Sequence, residues 1–233
     1  FSGANIVIHL AAITDAAGSI DKAEELEANN FQSTLRVAKA CIEVNASLIA
    51  LSSTSVYGTQ KDQVDENCSD SELQPQSPYA TTKLKEEELI AKLSKEKGLK
   101  AIHCRFGTIF GVSQGMRFHT AVNKFCWQAV MNQPISIWST AYDQKRPYLD
   151  LRDASRAITF IIKNDIFDGQ IYNVLTSNAT VRQVVETIKE FVPNLELEFV
   201  DNRIMNQLSY EVLCERFKSK GFVFSGNLRK GIK

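Results

Sequence analysis

The chain has 233 residues, 44% hydrophobic and 23% charged, and its 27 basic residues are balanced by 27 acidic ones. That balance argues against a broad electrostatic partner such as nucleic acid or an anionic membrane, and no apolar run reaches the ~20 residues of a membrane helix. The five cysteines, at 41, 68, 104, 126 and 214, form no CxxC pair, which speaks against a zinc ribbon or a thioredoxin-like motif and fits reduced thiols in the cytoplasm.

The opening stretch, FSGANIVIHLAA, has no basic n-region, no cleavage pattern and no initiator Met, so the chain reads as cut or processed at its front. Within it, NIVIHLAA (5–12) is a continuous apolar run of the kind found in a buried parallel strand. Residues 21–45 repeat apolar side chains at helical spacing: Leu26, Phe31, Leu35, Ala38 and Ile42. SLIALSS (47–53) is a second buried strand, ending in hydroxyl residues. The polar segment 56–76 reads as a loop. A helix starts at Ser77, a capping residue followed by Pro78, and runs to Gly98, which suits its end. LKAIHCRFGTIFG (99–111) is a third strand with its exit loop.

This β-α-β-α-β order implies an α/β fold with a parallel sheet and right-handed crossovers. In such sheets ligands lie at the carboxyl ends of the strands, where Ser52, Ser53 and Gly107 fall. Further on, 117–132 reads as helix and 133–138 as a short strand. Residues 146–164 hold a strand entering a helix, 169–175 form a strand, and 180–192 an amphipathic helix.

SPYATTK (77–83) carries the chemistry. Tyr79 and Lys83 are one helical turn apart and share a face. A free tyrosine, with a pKa near ~10, is a poor base at neutral pH. A nearby ammonium lowers that value, and a positively charged nicotinamide would lower it further. The pair would then take a proton from an alcohol or sugar hydroxyl, with Ser53 holding the oxygen. Alone, Tyr-x-x-x-Lys is a weak signal; the capped helix and the Ser-Ser strand end strengthen it.

VIHLAA (7–12), NFQSTLRVAKAC (30–41), LSSTSVYG (51–58), SPYATTK, RFGTIFG (105–111), RPYLDLRDASRAI (146–158) and IYNV (171–174) follow one another as in an extended short-chain dehydrogenase/reductase, which the chain resembles over nearly its whole length. The group it resembles is that of the NAD-dependent epimerases and dehydratases. The resemblance implies a Rossmann-like parallel sheet with a smaller α/β C-terminal substrate domain. It divides the chain into a partial dinucleotide-binding domain (1–111, with a return at about 146–170) and a substrate-binding part (112–145 and 171–233).

The roles it implies are these. Tyr79 is the base, Lys83 its tuner and a ligand of the nicotinamide ribose, and Ser53 the hydroxyl partner. Ala11 and Ala12 line the NAD or NADP cofactor, Asn30 supports that site, and Ser52 and Phe106 are further cofactor candidates. Thr108, Arg117, Asn123, Arg146 and Arg203 are candidates for the substrate, a nucleotide-linked sugar. No metal is implied, and a homodimer through the helices at 21–45 and 77–97 is expected.

Three departures matter. The GxxGxxG turn that takes the cofactor pyrophosphate at a helix N-terminus does not occur. The chain starts at what resembles the fourth strand, so something like ~60–70 residues of βα units is expected to precede it, and the choice between NAD and NADP lies there. Thr54 and Ser55 stand where 4,6-dehydratases of this family carry Asp-Glu, which disfavours dehydration and leaves epimerisation or simple reduction through a transient ketone. Thr108 stands where many members have Asn.

The rival function is a non-catalytic dinucleotide-binding or scaffold protein on the same fold. Plainer readings also stand for single residues. His9 is a structural histidine bonded to backbone, and His103 and His119 are isolated. Cys104 and Cys126 act as small apolar residues, and Phe125 and Trp127 as core. Asn30 could be a turn cap and Arg146 a surface ion pair. The stretch KLKEEELIAKLSKEK, with its alternating charges, reads as a solvated helix face.

Overall fold

The computed structural model describes residues 1–14, 23–58, 62–201 and 209–233. The first half of the chain runs β1 (Ile6–His9), α1 (Ala23–Val44), β2 (Ser47–Ser53), β3 (Gln63–Val64), α2 (Pro78–Lys97), β4 (Ala101–Phe106), β5 (Thr108–Phe110) and α3 (Ala121–Val130). The second runs β6 (Ile135–Trp138), β7 (Lys145–Asp150), α4 (Leu151–Lys163), β8 (Ile171–Val174), β9 (Ser177–Thr180), α5 (Val181–Lys189), β10 (Leu197–Val200), β11 (Glu211–Val212), α6 (Glu215–Ser219) and α7 (Leu228–Ile232).

The main sheet has the order β1-β2-β4-β8, and every pairing in it is parallel. β2 and β4 are covered on both faces, whereas the edge strand β1, read from the sequence as buried, leaves Ile8 39% exposed. Leu48, Ala50 and Ala101 pack with Ala38, Cys41 and Ile90 of α1 and α2. Ile49, Ile102 and Cys104 face the other way, onto Ala154, Ala157 and Ile161 of α4. The period of two along each strand sends neighbours to opposite layers.

The second core joins β5-β7-β9 with α3, α5 and the β6–β10 pair. Where the sequence predicts a strand and its exit loop over 99–111, the structure has two strands, divided at Gly107. There the chain leaves the main sheet for the second one. A side chain at Gly107 would bring Cβ within 3.0 Å of the Pro147 carbonyl oxygen, and its N–H donates to Val174 O at 3.0 Å. Residues 171–174, read from the sequence with the substrate part, pair with β4 as the last strand of the main sheet. The segment read as loop 56–76 contains β3, whose parallel partner β11 comes from near the end of the chain. No local pattern announces a two-residue strand with so distant a mate.

α2 forms as its sequence dictates. The Ser77 hydroxyl accepts from Ala80 N at 3.2 Å, and Pro78 stands in the first turn. Gly98 ends the helix in the left-handed region at φ 70, with its N–H on Ser94 O, a conformation that costs glycine little.

Two readings of side chains change. Trp127 is 41% exposed, set at a 46° tilt against Phe118 with ring centres 5.8 Å apart, whereas Phe125 is core. The charged stretch of α2 is not a wholly solvated face, since Lys83, Glu86 and Glu87 are buried. The reason lies on β4, where Arg105, 2% exposed, projects toward the helix. Its Nε donates to Glu87 Oε1 at 2.9 Å and its Nη2 to Glu87 Oε2 at 2.6 Å. Its Nη1 donates to Tyr57 OH at 3.0 Å, and that hydroxyl donates to Asn173 Oδ1 at 2.9 Å. Burial is the largest influence on the guanidinium and pulls its pKa down, but Glu87 and Tyr57 together raise it.

Among the described residues no helix is long and apolar enough to cross a membrane, and no group of three or more His, Cys, Asp or Glu is placed to hold a metal ion.

Two outcomes follow from this core. Glu87→Ala strands the Arg105 guanidinium in the interior and should cost about 3–5 kcal/mol, read as a lower urea midpoint. His103, fully buried, has its pKa lowered to about 4 by desolvation, with Glu87 acting in the opposite sense. Its folded value lies below its unfolded value near ~6.5, so the stability it contributes is complete above that pH and is lost as pH falls toward 4. Urea midpoints measured across that window should drop less in His103→Leu than in the parent protein.

Candidate active site

The carboxyl ends of β2 and β4 lie side by side, with Ser52 opposite Arg105 and Ser53 opposite Phe106. Just beyond Ser53 the chain makes a 3-10 turn, Thr54–Val56. The Ser53 hydroxyl is held from within that turn. It accepts from Ser55 Oγ at 2.9 Å and from Ser55 N at 3.2 Å, which leaves its own hydrogen free to point at another group. Thr54 is buried and donates to Phe106 O at 3.3 Å. Ser52 Oγ is buried and has no hydrogen-bond partner among the described residues.

α2 packs against this turn. The approach is fixed by Gly58, whose N–H donates to Glu72 O at 2.9 Å. A Cβ there would fall 1.9 Å from the Gln74 carbonyl oxygen. The segment leading into the Ser77 cap is therefore pressed directly on the chain leaving β2.

Tyr79 stands in the first turn of α2, and the Lys83 Nζ lies 5.9 Å from its ring centre. That ammonium is 2.9 Å from Glu86 Oε2, both side chains being 6% exposed. The tuning expected of Lys83 is thereby altered. The Tyr79 phenol is pushed up to about 12, first by burial and then by the Glu86 charge, with Arg117 pulling the other way. A positive charge shared with a carboxylate does less for a phenolate than a free one.

Behind this pair, His9 Nε2 is bonded to Thr34 Oγ1 at 3.1 Å, so its partner is a side chain rather than backbone. Its pKa is lowered by burial and then by Lys83. Burial raises the pKa of Glu86, against the pull of Lys83 and Thr34.

Asn30 does more than cap a turn. From the buried face of α1 its Oδ1 accepts from Ile13 N at 2.8 Å and its Nδ2 donates to Ile13 O at 2.9 Å. One side chain thus clamps the loop after β1 that carries Ala11 and Ala12. Thr14, in the same loop, accepts a hydrogen bond from Arg117 Nη1.

Asn123, a candidate for the substrate, is engaged at both ends. Its Oδ1 accepts from Gly111 N at 3.2 Å and its Nδ2 donates to Arg117 O at 3.2 Å, so it shapes the 111–117 segment. Arg146 lies at the start of β7, donating to Lys145 O at 3.0 Å and to Gln144 Oε1 at 2.6 Å, and burial lowers its pKa. Phe106 is a core residue at the end of β4, and Thr108 opens β5 opposite Tyr148. Arg203 lies outside the described residues.

Sequence reading missed Glu86, Glu87 and Thr34. An arginine inside the buried run AIHCRF was the available signal, because such a charge demands a carboxylate partner.

A profile of the NAD dependent epimerase/dehydratase family matches residues 1–174. The chain belongs to this family. It is 30% identical over 193 residues to the uncharacterized UDP-glucose epimerase YtcB of Bacillus subtilis, which covers 81% of the chain and 58% of that protein. It is 28% identical over 238 residues to a trifunctional UDP-glucose 4,6-dehydratase, 3,5-epimerase and reductase of Arabidopsis thaliana, covering 97% of the chain and 34% of that relative. The family fold extends to the C-terminal part. The UDP-glucuronic acid 4-epimerase of Bacillus cereus in complex with NAD superposes with a TM-score of 0.86 at 20% identity, covering 99% of this chain and 72% of that one. The epimerase-family chain therefore spans little more than half the length of the first of these curated relatives.

Asn30→Ala removes both bonds to Ile13. The expected outcome is a loss of about 1–3 kcal/mol and faster amide hydrogen exchange at Ile13 than at the β2 amides.

Proposed function

We propose that this chain belongs to an NAD-dependent enzyme that epimerises, or oxidises and reduces, a nucleotide-linked sugar through a transient ketone. The observation that carries the reading is the packing of α2, with Tyr79 and Lys83 one turn apart on it, against the turn that directly follows Ser53. A scaffold would have no need of a hydroxyl held by its neighbour beside a tyrosine–lysine pair. The curated relatives named for UDP-sugar chemistry and the NAD-bound solved neighbour support the substrate class and the cofactor.

The residues present fit the nicotinamide half of the cofactor. Ser52 Oγ is a buried hydroxyl with no partner among the described residues, and the loop bearing Ala11 and Ala12 is already fixed by Asn30. Lys83 and Tyr79 would hold the ribose, and Phe106 would close the strand end. Bound there, the nicotinamide supplies the acceptor and donor of hydride.

The chain's own residues manage the proton. Ser53 donates to the reacting sugar oxygen. Tyr79 takes the hydroxyl proton as the carbonyl forms, and returns it when the opposite face of that carbon is reduced, which inverts one centre. Lys83 fixes a positive charge beneath Tyr79 and favours its deprotonated form. Arg117 and Arg146 are the cations we assign to the substrate phosphates, with Thr108 and Asn123 shaping that side. Arg203 is a further candidate.

Dehydration is disfavoured. Thr54 is buried on the Phe106 carbonyl and Ser55 is bonded to Ser53, so neither offers the acid and base that an elimination requires. We further propose a homodimer in which α1 and α2, packed side by side, meet their copies. A cytoplasmic location is supported by five cysteines that are all unpaired.

The decisive experiment uses the full-length gene product with NAD and a panel of UDP-sugars. Tyr79→Phe should fold and bind normally while turnover falls about 10²–10⁴-fold. Undiminished turnover would remove the base from this reading.

A further inference from the structure

Lys83 and Glu86 form a pair that the proposed chemistry does not by itself require. The ammonium and the carboxylate are 2.9 Å apart with both side chains 6% exposed. The same ammonium lies 5.9 Å from the centre of the Tyr79 ring. The neighbouring carboxylate, Glu87, is committed to Arg105 of β4 through two hydrogen bonds. Glu86 is therefore the group that balances Lys83.

The other groups facing it are few. Tyr79, Lys83 and Glu87 come from α2 itself, Thr34 from α1, with His9 of β1 bonded behind it. Among the described residues Glu86 Oε1 has no hydrogen-bond partner of its own. A buried carboxylate with one oxygen unsatisfied is costly, and nothing in the packing of α2 calls for it once Arg105 has its own partner.

We propose that Glu86 is a positioning residue for the tyrosine–lysine pair: it anchors the Lys83 ammonium beneath Tyr79 and offsets part of the positive potential that Lys83 exerts on the phenol. An ammonium has three donors. One is engaged by Glu86, and the remaining two keep directions set by that anchor, toward Tyr79 and toward a ligand hydroxyl. The anchor thus limits where the charge sits and how strongly it acts. The negative charge of Glu86 works against the phenolate, so removing it lets Tyr79 ionise at lower pH. The inference rests on the reading of Tyr79 as the base, and it can be tested without turnover.

Glu86→Gln keeps the volume and an acceptor oxygen while removing the charge. Tyr79 can be followed as the tyrosinate absorbance lost when each protein is compared with its own Tyr79→Phe counterpart. In Glu86→Gln the Tyr79 titration should move down by about one pH unit or more, and Glu86→Asp, which keeps the charge, should titrate like the parent. Should Glu86→Gln not fold, Glu86→Ala gives the same comparison. Identical Tyr79 titrations in parent and neutral variant would overturn the inference.

Turnover adds a second, separable readout. In Glu86→Gln the acid limb of the kcat/KM profile should shift to lower pH. A uniform loss at every pH with no shift would mean a merely structural role and would also overturn it. Full activity in Tyr79→Phe, by contrast, sinks the catalytic reading while the absorbance titration still decides the role of Glu86.

Discussion

The seating of α2 on the main sheet depends on a charge that the core could not hold alone. Arg105 stands near the carboxyl end of a parallel strand covered on both sides, and its side chain is 2% exposed. Glu87 meets it with both carboxylate oxygens, and the Tyr57 hydroxyl accepts a further bond from it and donates in turn to Asn173. A bidentate pair has strict geometry. It sets both the height and the rotation of the helix over the strand, and so decides where Lys83 and Tyr79, one and two turns earlier, are presented.

The same network reaches beyond the helix. Tyr57 lies in the chain leaving β2, and its carbonyl accepts from Tyr210 OH at 3.0 Å. Asn173 lies on β8 and donates to Leu213 O at 2.9 Å. One buried cluster therefore ties the strand end with Ser53, the helix with the tyrosine and the C-terminal segment into a single arrangement. On the other side of the site the Asn30 clamp does similar work for the loop after β1. The candidate site is held from its far side by buried polar groups, while the groups proposed to react lie at the strand ends.

Much of this was legible in the residues. The apolar runs at 5–12 and 47–53 announced strands of a parallel sheet, and the second is indeed covered on both faces, although Ile8 of the first stays exposed at the sheet edge. Ser77, Pro78 and Gly98 marked the ends of α2 because capping is local chemistry. Tyr79, Lys83 and Ser53 were legible as a set because helical spacing and a strand end constrain them independently. The charged stretch of α2 misled because alternating signs look alike in solvent and in a buried network. What separated the two cases was Arg105, some distance along the chain. Trp127 misled for the opposite reason: an apolar residue at helical spacing need not face inward where two aromatic rings shelter each other.

By itself the sequence determined the α/β class, the layering of helices on a parallel sheet, and the types of side chain available for proton transfer. Those follow from periodicity, capping and reactivity, which act over a few residues. Only the tertiary structure decided that Lys83 is shared with Glu86, that Asn30 holds the backbone of Ile13, that β8 closes the main sheet and that β3 pairs with β11. Each of these joins residues distant in the chain or sets the burial of a charge. Local pattern is silent on both, because the energy of a buried ion or a strand pair depends on what folding brings to its other side.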